Sequence, residues 1–160
     1  MMNNNIVFKR ALQDHGPAIH QLIAEVLGGY GIYHVRPEYV DQDIDDLDTN
    51  FFNNNGYFWV VENGVGTLIA SVAIYRIDDH TCELRKMYLK VNEQGKGIGR
   101  MLFQTAIAKA NELGYTKMGL KTNSKLQTAI AMYKKYGFEF DAISECDKKA
   151  DCDVSMFKML

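Results

Sequence analysis

The sequence is short of the residues that mark secreted, fibrous and membrane chains. Proline occurs twice in 160 residues, too rarely for a proline-rich disordered chain. The three cysteines, Cys82, Cys146 and Cys152, are odd in number and form no CxxC pair. With a polar opening, "MMNNNIVFKR", in place of a secretory segment, they point to a reducing cytoplasm rather than a disulfide framework, and a Cys146–Cys152 bridge is not expected. No apolar run approaches the ~18 residues of a membrane span. The histidines, His15, His20, His34 and His80, lack the paired spacing of metal ligands, so no metal site is expected. Excess charge of either sign is missing too: the formal net charge is -2, which gives no global attraction to nucleic acid or to an anionic membrane. An anionic ligand has to be held locally.

The chain does contain the material for one core. It is 47% hydrophobic and 24% charged, as expected of a single globular domain spanning residues 1–160. After the strand-like "IVFKR", residues 14–29 predict an amphipathic helix capped by Asp14, with Ile19, Leu22, Ile23, Val26 and Leu27 on its apolar stripe and Gly28-Gly29 at its end. Val40, Ile44, Leu47 and Phe51 recur at helical spacing and predict a second helix, with Asp41, Asp43, Asp45, Asp46 and Asp48 on its other faces. "YFWVVE" and "GTLIASVAIYRI", joined by Asn63-Gly64, predict a hairpin. "TCELRKMYLKV" predicts a third antiparallel strand. A helix from Ile98 to Gly114, a strand "KMGLKT", a helix "SKLQTAIAMYKKYG" and two closing strands complete the order β-α-α-β-β-β-α-β-α-β-β. The expected class is mixed α/β (α+β), with a mostly antiparallel sheet.

The stretch "VNEQGKGIGRML" sets Gly95, Gly97 and Gly99 between a strand and a helix. A helix start reached through glycines presents unpartnered N–H groups and the positive end of the helix dipole, which is a prepared anion site. A P-loop needs GxxxxGK followed by Ser or Thr, whereas Lys96 is followed by Gly97. A dinucleotide fingerprint needs a different glycine spacing within a βαβ unit. A glycine-rich turn without any ligand is the remaining alternative.

Gln94, Gly97 and Gly99 form Q-x-x-G-x-G, which resembles the acetyl-CoA signature of the GNAT superfamily of N-acetyltransferases. "AIAMYKKYGF" resembles that superfamily's later A-x-x-x-Y-x-x-x-G-F segment, and the element order is similar throughout. The resemblance implies a GNAT fold with four helices and a splayed pair of fourth and fifth strands. It also implies acetyl transfer from acetyl-CoA to a primary amine by direct attack on the thioester, without a metal. The diphosphate would be held by Gln94, Gly95, Lys96, Gly97, Ile98, Gly99 and Arg100, and the pantetheine arm by the main chain of Met87, Tyr88 and Leu89. Asn123 and Lys125 would touch the cofactor after the fifth strand, where many members carry an Asn at the position of Leu126. Tyr133 would give a proton to the departing sulfur. Glu83 would be the general base, the alternatives being a strand glutamate paired across the sheet and a base that acts only through a water chain. Tyr30 and His34, which would border the acceptor, are the next candidates for the base. Among acceptors, the five aspartates suit a cationic amine, the other reading being a solvated helix face; a peptide or protein amine is also open. A homodimer is common in the family. Two further readings are a GNAT-fold protein that binds coenzyme A without turnover and an interaction protein that exposes its acidic helix.

Overall fold

A computed structural model describes residues 5–33, 41–141 and 153–160. The strands are β1 (Val7–Arg10), β2 (Tyr57–Glu62), β3 (Leu68–Arg76), β4 (Thr81–Leu89), β5 (Lys117–Thr122), β6 (Glu139–Phe140) and β7 (Val154–Met159). The helices are α1 (Gly16–Gly29), α2 (Leu47–Asn50), α3 (Ile98–Glu112) and α4 (Gln127–Lys135). The strands form one sheet in the order β1-β2-β3-β4-β5-β7-β6. All pairs are antiparallel except β4 with β5.

The sheet divides two apolar layers. On one face Leu102, Phe103, Ala106 and Ala110 of α3 and Ile130 and Tyr133 of α4 pack on Cys82, Leu84, Met118 and Leu120. On the other, Ile19, Ile23 and Leu27 of α1 pack with Ile44, Leu47 and Phe51 on Phe58, Val60 and Ala73. The periodicities read from the sequence therefore describe the buried faces well, because burial of an apolar stripe is what selects the helix.

Three local expectations change. The second helix is broken into a 3₁₀ turn (Gln42–Asp45), the single turn α2 and another 3₁₀ turn (Phe52–Asn54). Asp46 interrupts it by accepting a hydrogen bond from Thr49 N–H at 3.1 Å, as a cap does. Asp14 does not cap α1; it lies inside a 3₁₀ turn, Gln13–His15, whose start is tied by Leu12 N–H donating to His15 Nδ1 at 2.8 Å. The β2–β3 hairpin closes through a longer loop than the two-residue turn, in which Asn63 Oδ1 accepts from Val65 and Thr67 N–H.

Two irregularities of β4 position the site. The β3–β4 register slips between Ser71 and Ala73, and Lys86 adopts φ 53°, the left-handed conformation in which a bulge places its extra residue. Cys82 and Leu84 face the α3–α4 layer, and after the bulge Met87 and Leu89 do so, while Tyr88 faces the α1 layer. The second irregularity is that β4 pairs with β5 only from Thr81–Lys117 to Leu84–Leu120. Beyond that point the two strands part.

Candidate active site

The parting strands open a groove of about 810 Å³. One wall is β4 from Glu83 to Leu89, the other is β5 from Leu120 to Thr122 with the start of α4, and Gln94, Gly95, Gly97, Gly99 and Arg100 lie at one end. Asp41, Asp43, Tyr30 and Ile32 line the opposite side.

The glycine end is built from backbone. Gly95 and Gly97 have φ 80° and 85°, values that L side chains rarely adopt, and a Cβ placed on either would meet no atom within 4 Å. Gly97 immediately precedes α3, a helix of 15 residues. Its first N–H groups lack intrahelical partners and carry the positive end of the helix dipole. Arg100, exposed in the first turn, adds a charge that does not depend on backbone. Ile98 is buried in the core with its side chain off the groove wall. Lys96 is exposed and ion-paired with Glu93 at 3.0 Å. This end fits a diphosphate: its backbone is unobstructed, and it is cationic.

Along β4, Lys90 N–H donates to Ile69 O at 3.0 Å. Alternation along a strand turns the preceding N–H, that of Leu89, to the opposite side and into the gap. Met87, Tyr88 and Leu89 all border the groove. Across it, Asn123 lines the wall, whereas Lys125 is exposed and donates its backbone N–H to Asn123 Oδ1 at 2.9 Å. Leu126 is on the wall as well.

Tyr133, from α4, reaches the groove from the core, 6% exposed. Burial pushes its phenol up to about 12, because the phenolate is poorly solvated there. Tyr88 is raised in the same direction, first by burial and then by the nearby Asp41, Tyr133 and Asp43.

Glu83 stands where β4 and β5 still pair, opposite Tyr75 and Gly119, and is nearly buried at 9% exposure. Its Oε1 accepts from Arg85 Nε at 2.6 Å. Arg85 also donates to Asp43 Oδ2 at 3.3 Å and lies 3.7 Å above the Tyr75 ring. Burial opposes the Arg85 charge, but Glu83 and Asp43 outweigh it and hold the guanidinium above its ordinary value. Lys86 pairs with Asp41 and, at 3.0 Å, with Asp43 Oδ1, although this oxygen makes no well-angled hydrogen bond.

The aspartate segment is thus two different things. Asp45, Asp46 and Asp48 are exposed to solvent, while Asp41 and Asp43 turn into the groove. Sequence reasoning missed Arg85 and Lys86. Their signal was two cations beside Glu83 on one strand, but the bulge that turns Lys86 toward the aspartates is a backbone event without a residue signature. His34, Cys146 and Cys152 lie outside the described residues.

The pattern of known proteins agrees with this geometry. The model of the acetyltransferase (GNAT) family matches residues 19–138. The chain belongs to that family. An N-acetyltransferase of Escherichia coli K12, YjgM, is 31% identical over 96% of this chain and 95% of its own length. Among solved structures, a GNAT-family acetyltransferase of Staphylococcus aureus Mu50 superposes with a TM-score of 0.86 at 18% identity, over 96% of this chain and 98% of that one. The PaiA N-acetyltransferase of Thermoplasma acidophilum, solved in complex with coenzyme A, superposes with a TM-score of 0.74 at 20% identity, over 98% and 99% of the two chains. The GNAT fold and acetyltransferase activity follow from the family. Among the described residues, no helix is long and apolar enough to cross a membrane, and no group of acidic, histidine and cysteine side chains is placed to hold a metal ion.

Proposed function

We propose that the chain moves the acetyl group of acetyl-CoA to a primary amine in the groove between β4 and β5, by direct attack of the amine on the thioester. The observation that carries this reading is the end of β4–β5 pairing at Leu84–Leu120, which opens a continuous groove from a backbone anion cradle to a buried carboxylate. The solved relative with coenzyme A supports the choice of donor.

Each residue then has a limited task. N–H groups of residues 95–100 and the Arg100 side chain bind the diphosphate. Main chain of Met87–Leu89 pairs with the pantetheine amides as an added strand would, and Asn123 lies at the far wall for a polar contact. The Leu89 N–H points to the place where negative charge grows on the thioester oxygen. Glu83 takes the proton of the attacking amine, directly or through water. Tyr133 supplies a proton to the sulfur as the carbon–sulfur bond breaks, so the thiol leaves neutral. Acetyl-CoA supplies the activated acyl group; no metal enters the scheme.

The acceptor is a primary amine, of a small molecule or a peptide. Asp41 and Asp43 are already engaged by Lys86 and Arg85, so they do not by themselves select a polycation. Thiol release from acetyl-CoA, followed across polyamines, aminoglycosides, amino acids, amino sugars and peptides, tests the reading. Amine-dependent release above the rate of hydrolysis is expected. Binding of acetyl-CoA with no amine accelerating release would instead identify a coenzyme A-binding protein without turnover.

A further inference from the structure

The ion pairs at the acceptor side are more than a means of attachment. Ile44 and Leu47, fully buried against α1 and β2–β3, already fasten the 41–47 segment to the sheet. Gln13 adds two hydrogen bonds, its Nε2 donating to Ile44 O and its Oε1 accepting from Leu47 N–H, both at 2.9 Å. Yet Lys86, with a side chain only 11% exposed, is also brought against Asp41, itself 10% exposed. Lysine is seldom buried to this degree, and desolvating two charges offsets much of what their attraction returns. Both partners also hold left-handed backbone, φ 53° at Lys86 and 61° at Asp41, a conformation that strains lysine and is better tolerated by aspartate. Strain and desolvation meet at one contact on the groove wall.

From that contact the charges run on: Lys86 to Asp43, Asp43 to Arg85, Arg85 to Glu83. All five side chains line the groove. We propose that Lys86 is a positioning residue, which fixes the 41–43 wall of the acceptor compartment and, through Asp43 and Arg85, sets the aim of Glu83. The second half rests on the reading of Glu83 as the base. The bulge gives the reason for its place in β4: without the extra residue the side chain would not meet the aspartates while Met87 and Leu89 return to the core.

The test compares the full chain with Lys86→Met, which keeps the apolar stem, and Lys86→Arg, which restores the charge. With n-butylamine as acceptor probe, Lys86→Met is expected to raise KM for the amine about tenfold while KM for acetyl-CoA stays within about twofold. Lys86→Arg should recover most of the loss. Hydrogen exchange of Ile44 N–H, which is bonded to Asp41 O, should quicken about tenfold in Lys86→Met and slow again in Lys86→Arg. Unchanged exchange in Lys86→Met overturns the proposal, as does a parallel loss of amine and acetyl-CoA affinity, which would make Lys86 a general stability residue. If the wild type itself releases no thiol with any amine, the function proposed above fails, and the exchange comparison still decides whether Lys86 fixes the wall.

Discussion

At the scale of single residues, the proposed chemistry depends on where Tyr133 and Gly97 are held. Tyr133 is packed among Phe103 and Phe138, ring centroids 6.3 and 5.9 Å away, and this apolar setting is what raises its phenol to about 12. A phenol so held remains protonated through neutral pH, so in the proposed role of donor it would always be loaded, although it is a weaker acid than a tyrosine in water. Tyr133→Phe is expected to lower kcat by about 10², the low end for a general acid, with acetyl-CoA affinity changed less than about threefold. Steady-state kinetics beside calorimetry checks this, and equal loss of both would make Tyr133 a structural residue. The pH profile of the wild type should show no alkaline fall from Tyr133 at its ordinary value of 10.0, because burial raises the phenol to about 12. Gly97 is held by φ rather than by space, since no atom crowds its Cβ position. Gly97→Ala should therefore destabilise the fold by about 1 kcal/mol, measured by denaturant titration, and weaken acetyl-CoA binding as the loop relaxes away from its cradle shape.

At the scale of elements, β4 decides the site. Its bulge is secured by Ser71, whose hydroxyl donates to Lys86 O at 2.6 Å from a fully buried position on β3. Ser71→Ala leaves that carbonyl without the bond and is expected to cost about 1–2 kcal/mol in denaturant unfolding. Because the bulge sets the phase of Met87–Leu89, acetyl-CoA affinity should fall as well; a variant that loses stability but binds normally would separate the two. This element also shows how far the sequence can be read. The helices and strands follow from apolar periodicity, and Gln94, Gly97, Gly99 and Tyr133 stood out through the two segments that resemble the GNAT motifs. The run "ELRKMYL" keeps no strict alternation, and nothing local says that one residue is extra, so the inward turn of Lys86 and the pairing of Arg85 with Glu83 were hidden. The interrupted second helix was hidden for a related reason: Val40, Ile44, Leu47 and Phe51 suit one helical face, while Asp46 prefers to cap. Local capping prevailed over periodicity because Gln13 supplies the exposed backbone groups with partners.

At the scale of the whole molecule, two consequences follow from what the core encloses. Burial raises the Cys82 thiol from 9.0 to about 12 and the Tyr133 phenol from 10.0 to about 12. Tyr88 moves in the same direction. Between the unfolded and folded values the unfolded chain has released these protons and the native one retains them, so the native state binds more protons and stability falls as pH rises. Chemical denaturation should show little contribution from these groups below about pH 9 and a progressive loss toward pH 12; a flat profile across that interval would mean that they are not enclosed as described. The other consequence concerns the groove as a unit, with the glycine loop at one end, the parted strands along its length and Glu83 and Tyr133 on its lining at the proposed reacting centre. Calorimetric titration of the wild-type chain with acetyl-CoA tests this most directly. Saturable one-to-one binding with a Kd in the micromolar range, about -8 kcal/mol, is the predicted result. No saturable heat up to millimolar acetyl-CoA would contradict it.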